Sequence, residues 1–255
     1  MNTRHAFTDA EWRLIAPILR CKSQGVPRVD DRRALNGISW ISRSGTPWRD
    51  LPERYGPYIT CCNRFVRWCS AGVLIRFLPA ISHRDDAEVQ IVDSTIIRAR
   101  QHASCIQNST GESFGCSRRG PTTKIHEFVD ANGPPLQVMI TGGQQHDSLM
   151  ARALLEGLPS SGMVLADKAH DATELRTFTS LRGGWANIPP RRNRRDPICF
   201  SPYLYRHRNH VERLFNWMKH CRRIATRYEK HAANFLAFVK LAATRLWLRV
   251  NESAA

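Results

Sequence analysis

The spacing of hydrophobic and polar residues divides the chain into a helical first third and a longer α/β remainder. Apolar residues three to four positions apart predict three amphipathic helices before residue 82. Thr8 is a predicted cap for the first helix, and Gly45 a predicted stop for the second. The predicted helices are FTDAEWRLIAPIL (7–19), DDRRALNGISWISRSG (30–45) and TCCNRFVRWCSAGVLIRFLPAI (60–81).

Short apolar runs replace the helical spacing after a polar break at residues 82–88. Three strands followed by alternating helices and strands, then by terminal helices, predict a mixed-sheet α/β domain of the RNase H-like kind. We therefore expect a helical domain over residues 1–85 and an RNase H-like domain over residues 86–255. The predicted elements are strands 89–99, 122–130, 134–143, 162–167 and 185–190, helices 147–158 and 171–182, and two helices that end the chain.

Two stretches are predicted to be irregular. Residues 45–57 contain several Pro and Gly, which forbid regular structure, and residues 104–123 form a polar, Gly- and Ser-rich loop that we expect to be mobile without a ligand. The basic faces of the three N-terminal helices suggest a helix-turn-helix-like DNA-binding unit. A helical cap without DNA contacts is the alternative.

The charge balance favours a polyanionic partner. The 38 Lys and Arg exceed the 22 Asp and Glu and give a formal charge of +16, which suits nucleic acid better than a membrane surface. No signal peptide is predicted, and Lys240, Arg245 and Arg249 interrupt the apolar C-terminal stretch, so we expect a soluble intracellular protein. The eight cysteines include no CxxC pair, which favours reduced packing cysteines over zinc or disulfides.

Two aspartates lie where a ligand cleft is expected. Asp93 follows VQIV inside the first strand, and Asp167 ends the apolar run GMVLA. Carboxylates that converge from separate elements are the ligands that Mg²⁺ or Mn²⁺ prefers. A strand-end carboxylate that accepts backbone or Arg hydrogen bonds is an equally reasonable interpretation. Asp147 and Asp171 are predicted helix caps, the latter in a capping box with Glu174.

A second polar group shares one face of a predicted helix. Ser201 and Pro202 are a cap and a first-turn proline, so the helix is expected to run to about residue 220. At about 100° per residue, four polar side chains fall within an arc of about 60°. These are Tyr205, Arg208, Glu212 and Lys219. The neighbouring stripe, predicted to pack on the sheet, is Val211, Leu214, Phe215 and Met218.

The charge around this helix separates two interpretations of the polar face. An exposed Arg208–Glu212 pair would contribute only a few tenths of a kcal/mol. However, residues 191–230 contain 12 Lys or Arg and 3 Asp or Glu. A surface adapted only for solubility would mix its charges more evenly, so a track for the phosphate backbone is the better explanation.

The spacing Tyr-x₂-Arg-x₃-Glu-x₆-Lys at residues 205–219 matches the YREK signature, and further blocks accompany it in order. The sequence therefore resembles DDE transposases of bacterial insertion sequences, in particular the insertion sequence 5 family, from about residue 7 to 250. The other blocks are VDST, TTKIHEFVDANGPPLQVMITGGQQHD, VLADKAHDATELR, IPPRRNRR and RRIATRYEKHAANFLA.

The resemblance implies an RNase H-like core whose metal-binding triad is Asp93, Asp167 and Glu212, with two Mg²⁺ or Mn²⁺ ions. The expected reaction is hydrolysis at the ends of the element, followed by attack of the freed 3′-hydroxyl on target DNA. One departure concerns the family's DKGYD block, which here has Ala169 and His170 in place of Gly and Tyr. The DNA-binding residues that we expect are Tyr205, Arg208 and Lys219, with Arg191, Arg192, Arg222 and Arg223 from the basic blocks.

The expected partner is double-stranded DNA, both the terminal inverted repeats and the target. The resemblance also implies a homo-oligomer that brings two ends together, without a membrane partner, in the cytoplasm at the nucleoid. Two alternatives stay open: an RNase H-like metal nuclease without strand transfer, and a non-catalytic DNA-binding regulator.

Overall fold

The computed structural model describes residues 6–19, 30–82, 88–105, 112–118, 120–130, 135–156 and 162–254. Its first part is helical, and a mixed sheet flanked by helices follows. The α-helices and strands are α1 (Asp9–Leu19), α2 (Asp31–Ser44), α3 (Tyr58–Ser70), α4 (Phe77–Ile81), β1 (Val89–Ala99), β2 (Gly115–Ser117), β3 (Gly120–Asp130), β4 (Pro135–Gly142), α5 (Asp147–Glu156), β5 (Met163–Ala166), α6 (Thr173–Leu181), β6 (Trp185–Asn187), α7 (Pro202–Tyr205), α8 (Asn209–Lys219), α9 (Arg222–Ala225), β7 (Thr226–Arg227) and α10 (Ala232–Ala254).

The predicted ends of α1 and α2 are confirmed. Thr8 Oγ1 accepts from the Glu11 backbone N–H at 3.1 Å, and Glu11 Oε2 accepts from the Thr8 N–H at 2.8 Å, so the two residues form a capping box. Gly45 ends α2 in the left-handed conformation, with φ 72°. A Cβ there would lie 2.6 Å from the Cβ of Arg222, which shows how closely α9 approaches this helix end.

The third predicted helix is divided in the structure. Gly72, with φ 64°, follows the last turn of α3, and the Val73 N–H donates to the carbonyl of Trp68 at 2.8 Å. This is the Schellman arrangement, in which a left-handed residue satisfies the last carbonyls of a helix. A 3₁₀ turn and the short helix α4 complete the segment. The single helix predicted over 60–81 was wrong because the turn at Gly72 interrupts an unbroken apolar pattern.

The sheet has the mixed arrangement predicted from the order of elements. Strand β1 is central: it pairs antiparallel with β3 and parallel with β5, and β3 and β5 in turn pair with β4 and β6. Two short strands were not predicted. Strand β2 pairs with β3 inside the segment predicted as a mobile loop, and β7 pairs with β1. Residues 106–111 and 119 of that segment lie outside the described residues.

Helix α10 joins the helical part to the sheet. Phe238 stacks on Phe65 of α3, with ring centroids 4.3 Å apart, and the Trp247 indole N–H donates to the Pro135 carbonyl of β4 at 2.6 Å. The buried apolar side chains of both parts therefore form one continuous core. No helix in the described ranges combines the length and the apolar character needed to cross a membrane.

Candidate active site

The sheet brings the two predicted aspartates together. Val92 pairs with Ala166 in the parallel ladder between β1 and β5. Asp93 is the next residue of β1, and Asp167 directly follows the end of β5. Because paired strands lie about 4.8 Å apart, the two carboxylates are neighbours across the sheet. Asp93 is buried, whereas Asp167 is half-buried at the strand end.

The two carboxylates have different electrostatic environments. Burial raises the pKa of Asp93 to about 6, against the lowering effects of the Ser94 N–H and Arg208, and the Asp167 charge raises it further. Burial also acts to raise the pKa of Asp167, but hydrogen bonds from His170 and the Ala169 N–H outweigh it and hold that pKa below its ordinary value. His170 Nδ1 lies 2.6 Å from Asp167 Oδ1. At neutral pH Asp167 is therefore the more firmly ionised of the two.

The predicted polar helix face lies against β1. Arg208 Nη1 donates to Asp93 Oδ2 at 2.6 Å, and its Nη2 donates to Glu212 Oε1. The Arg208 guanidinium also lies over the Tyr205 ring, 5.5 Å from its centroid. Lys219 Nζ donates to Thr95 Oγ1 at 2.8 Å. The four residues of the signature therefore surround the same section of β1 that carries Asp93.

The local structure of this segment is less regular than predicted. Ser201 Oγ accepts from the Leu204 N–H, and Pro202 is the first helical residue, as expected. A 3₁₀ turn over Arg206–Arg208 then separates α7 from α8. The predicted packing stripe of α8 is confirmed, because Val211, Leu214, Phe215 and Met218 are all buried.

The oxygen atoms of the three carboxylates are suitable ligands for a divalent cation, but the three side chains do not surround a common metal position. Asp93, Asp167 and Glu212 come from three elements and offer only oxygen ligands, the type that Mg²⁺ and Mn²⁺ take. Arg208 supplies the positive charge between Asp93 and Glu212. Among the described residues no group of three His, Cys, Asp or Glu side chains is positioned to hold a metal ion. Binding of one ion by all three carboxylates therefore requires these side chains to rearrange.

Comparisons with known proteins agree with this geometry. A family model described as "Transposase DDE domain" matches residues 84–247, and one described as "Putative transposase of IS4/5 family" matches residues 7–78. The chain belongs to the DDE transposase family. A Brucella ovis protein described as "Putative transposase for insertion sequence element IS6501" is 42% identical over 129 residues, covering 50% of this chain and 99% of its own.

Two further matches extend the comparison. A Burkholderia cepacia protein described as "Putative transposase for insertion sequence element IS402" is 30% identical over 135 residues, which cover 49% of this chain and 62% of its own. Among solved structures, a piggyBac transposase synaptic complex with hairpin DNA has a TM-score of 0.52 at 12% identity, covering 99% of this chain and 75% of that one. This last likeness concerns the fold, and it supports an RNase H-like transposase core.

Two predicted helix caps of the transposase were wrong. Asp147 begins α5, but its carboxylate turns to the sheet, where it accepts from Ser94 Oγ at 2.7 Å and pairs with Lys124 at 3.0 Å. Asp171 is buried, and it accepts from Arg176, Arg194 and the Arg191 N–H. In both cases a cation or hydroxyl from another element binds the carboxylate that the local sequence pattern predicted to cap a helix.

The predicted DNA-binding arginines lie in different environments. Arg192 and Arg222 are exposed. Arg191 Nη2 donates to the Ala169 carbonyl at 2.9 Å, so it braces the turn that follows Asp167. Arg223 is buried, and it donates to Glu229 Oε1 at 2.8 Å and to the Thr46 carbonyl at 2.7 Å. The Arg223 guanidinium thus joins α9 to the helical part of the chain.

Arg223→Gln is expected to destabilise the transposase by about 3–5 kcal/mol, because it leaves the buried Glu229 carboxylate without its cation. Arg222→Gln is the matched control: the neighbouring side chain is exposed, so its effect should stay within about 0.5 kcal/mol. Urea unfolding of both variants measures the difference. Equal free energies of unfolding would contradict a structural role for the Arg223–Glu229 pair.

One residue beside the site was missed by the sequence reasoning. Glu127 of β3 is directly opposite Asp93 in the antiparallel ladder and is fully buried. Neither of its carboxylate oxygens has a hydrogen-bond partner within the described parts of the chain. The signal was present in the sequence, because Glu127 is an acid inside a predicted strand, as Asp93 is.

Proposed function

We propose that this transposase binds the terminal inverted repeats of its insertion sequence, cleaves at the ends and joins the freed 3′-hydroxyl to target DNA. The observation that carries the proposal is the assembly at β1: Asp93 and Asp167 on adjacent strands, with the signature face of α7 and α8 packed beside them. An RNase H-like metal nuclease and a DNA-binding regulator are the alternatives.

The proposed catalytic carboxylates are Asp93, Asp167 and Glu212, which would hold two Mg²⁺ or Mn²⁺ ions. When bound, the ions would activate the attacking oxygen and stabilise the leaving 3′ oxygen of the phosphodiester. The chain's own contribution is positional. His170 orients the Asp167 carboxylate, and Arg208 holds Asp93 and Glu212 toward each other.

The proposed DNA track runs along the basic segment around the site. The Arg208 guanidinium could bind a phosphate instead of the two carboxylates. The Lys219 ammonium, a compact positive charge, already lies beside β1. Tyr205 supports Arg208 through its ring. The exposed Arg192 and Arg222 would contact the backbone directly, whereas Arg191 and Arg223 would act by holding the surfaces that carry them.

The oligomeric state, the cellular location and the role of the helical part are also proposals. Two ends must meet before joining, so we propose a homo-oligomer on DNA in the cytoplasm, associated with the nucleoid. Helices α1 to α4 are proposed to bind the terminal repeats. No membrane partner is proposed.

A strand-transfer assay tests the function. The substrate is a linear duplex that contains the inverted repeat beside the coding sequence together with its flanking DNA, with a supercoiled plasmid as target and Mg²⁺ or Mn²⁺ present. We expect nicking at the repeat and covalent joining of the 3′ end to the plasmid. Cleavage without joining would favour the nuclease, and end binding without either product would favour the regulator.

A further inference from the structure

A second basic site lies between the helical part and α10, on another side of α8 from the carboxylates. A cavity of about 200 Å³ opens between α2, the end of α8 and α10. Three arginines line it, namely Arg43, Arg245 and Arg249. Trp217, which also lines it, is five residues after Glu212 and about 140° further round the helix. A group bound here is therefore not bound by the carboxylate triad.

The cavity carries a concentration of positive charge. None of the described residues that line it is acidic. The carboxylate of Glu11 lies 3.9 Å from Arg245 Nη2, but that carboxylate also closes the capping box of α1. Burial lowers the pKa of Arg245 despite Glu11, and the charges of Arg249 and Arg43 lower it further. An anion bound beside these arginines would offset the repulsion between their charges.

The known contacts of these arginines leave the cavity basic. Arg245 Nη2 donates to the Ala6 carbonyl at 3.3 Å, and the Arg249 guanidinium lies 5.5 Å from the centroid of the Trp217 ring. A carbonyl and an aromatic ring carry no formal charge, so neither neutralises the arginine that it contacts.

We propose that this cavity binds a phosphate group. Arginine guanidinium groups are donors that a tetrahedral oxyanion takes, and the flat indole of Trp217 forms an apolar wall beside Arg249. Since a water occupies about 30 Å³ of liquid, the space holds one phosphate with a few waters and excludes a duplex. The phosphate comes either from a DNA backbone that passes the opening or from a free phosphate or phosphorylated small molecule.

Isothermal titration of the full chain with inorganic phosphate, at constant ionic strength and without divalent metal, tests the site. We expect saturable binding at one site, weakened about tenfold by Arg43→Gln and by Arg249→Gln. Arg67→Gln, which alters an exposed arginine of α3 outside the cavity, should leave the affinity unchanged. No saturable binding, or an equal loss in the Arg67→Gln control, would overturn the proposal. A thermal melting temperature close to that of the wild type shows that both cavity variants are folded.

A competition experiment separates the two sources of phosphate. If the DNA backbone supplies it, phosphate should weaken binding of a 20-base-pair duplex by the wild type more than by Arg249→Gln at the same ionic strength. If the duplex affinities of the wild type and both cavity variants agree and respond equally to phosphate, the ligand is a free phosphate or a phosphorylated small molecule. The site does not depend on the proposed transposition chemistry, because neither experiment requires cleavage.

Discussion

Glu212→Gln is expected to lower end cleavage and strand transfer by about 10³-fold or more, while end binding changes little. This factor corresponds to a loss of several kcal/mol of metal-dependent transition-state stabilisation, because each tenfold change in rate is worth about 1.36 kcal/mol. The Glu212 side chain is 52% exposed, so the substitution removes a charge without opening a cavity. Stability should therefore stay within about 0.5 kcal/mol of the wild type. Gel assays of cleavage, joining and end binding measure the three quantities separately.

The chain contains a close control for this variant. Glu156 also lies on a helix, pairs with an arginine four residues earlier and is 53% exposed on its side chain. Glu156→Gln removes the same charge from the same kind of pair, away from β1, and should keep full activity. Retained cleavage by Glu212→Gln would exclude Glu212 from the triad. Equal losses in both variants would indicate a general effect of charge on DNA binding.

The sequence predicts well where local pattern and tertiary environment agree. The short apolar runs of VQIVDSTIIRA and the order of elements predicted strand β1 and the mixed sheet. The four-residue spacing from Arg208 to Glu212 predicted a shared face, since helical geometry is local. The resemblance to DDE transposases then made that face a candidate active site, which spacing alone could not do.

The remaining features depend on contacts between residues far apart in sequence. Asp147 and Asp171 have the local pattern of caps, but Lys124 and Arg194 come from other elements and take their carboxylates. Arg223 is one of several arginines in a basic segment, and only the fold shows that it is buried against Glu229. A surface arginine and a buried arginine contribute equally to a charge pattern, so the sequence did not distinguish the two.

The metal-free protein is expected to lose stability between pH 5 and pH 8 because of Glu127. Burial raises the pKa of Glu127 to about 8, the charge of Asp93 raises it further, and Lys219 opposes the shift. The ordinary value is 4.5, so the folded state holds this proton more tightly than the unfolded chain. The contribution to stability is complete below about pH 4.5 and is lost as the pH rises toward about 8. The loss is a few kcal/mol, since each unit of pKa corresponds to about 1.4 kcal/mol.

Glu127→Gln isolates this contribution, because it keeps the shape of the side chain and removes its titration. Urea unfolding in EDTA at pH 5, 6, 7 and 8 should show the variant gaining stability relative to the wild type by a few kcal/mol across the range. Asp93, whose pKa is raised to about 6, titrates within this range in both proteins, and Glu156→Gln should show no trend. A difference independent of pH would mean that Glu127 is already ionised in the folded protein. A neutral Glu127 has a consequence for the site: it leaves Asp93 with a single charged carboxylate neighbour, Asp167, on the adjacent strand.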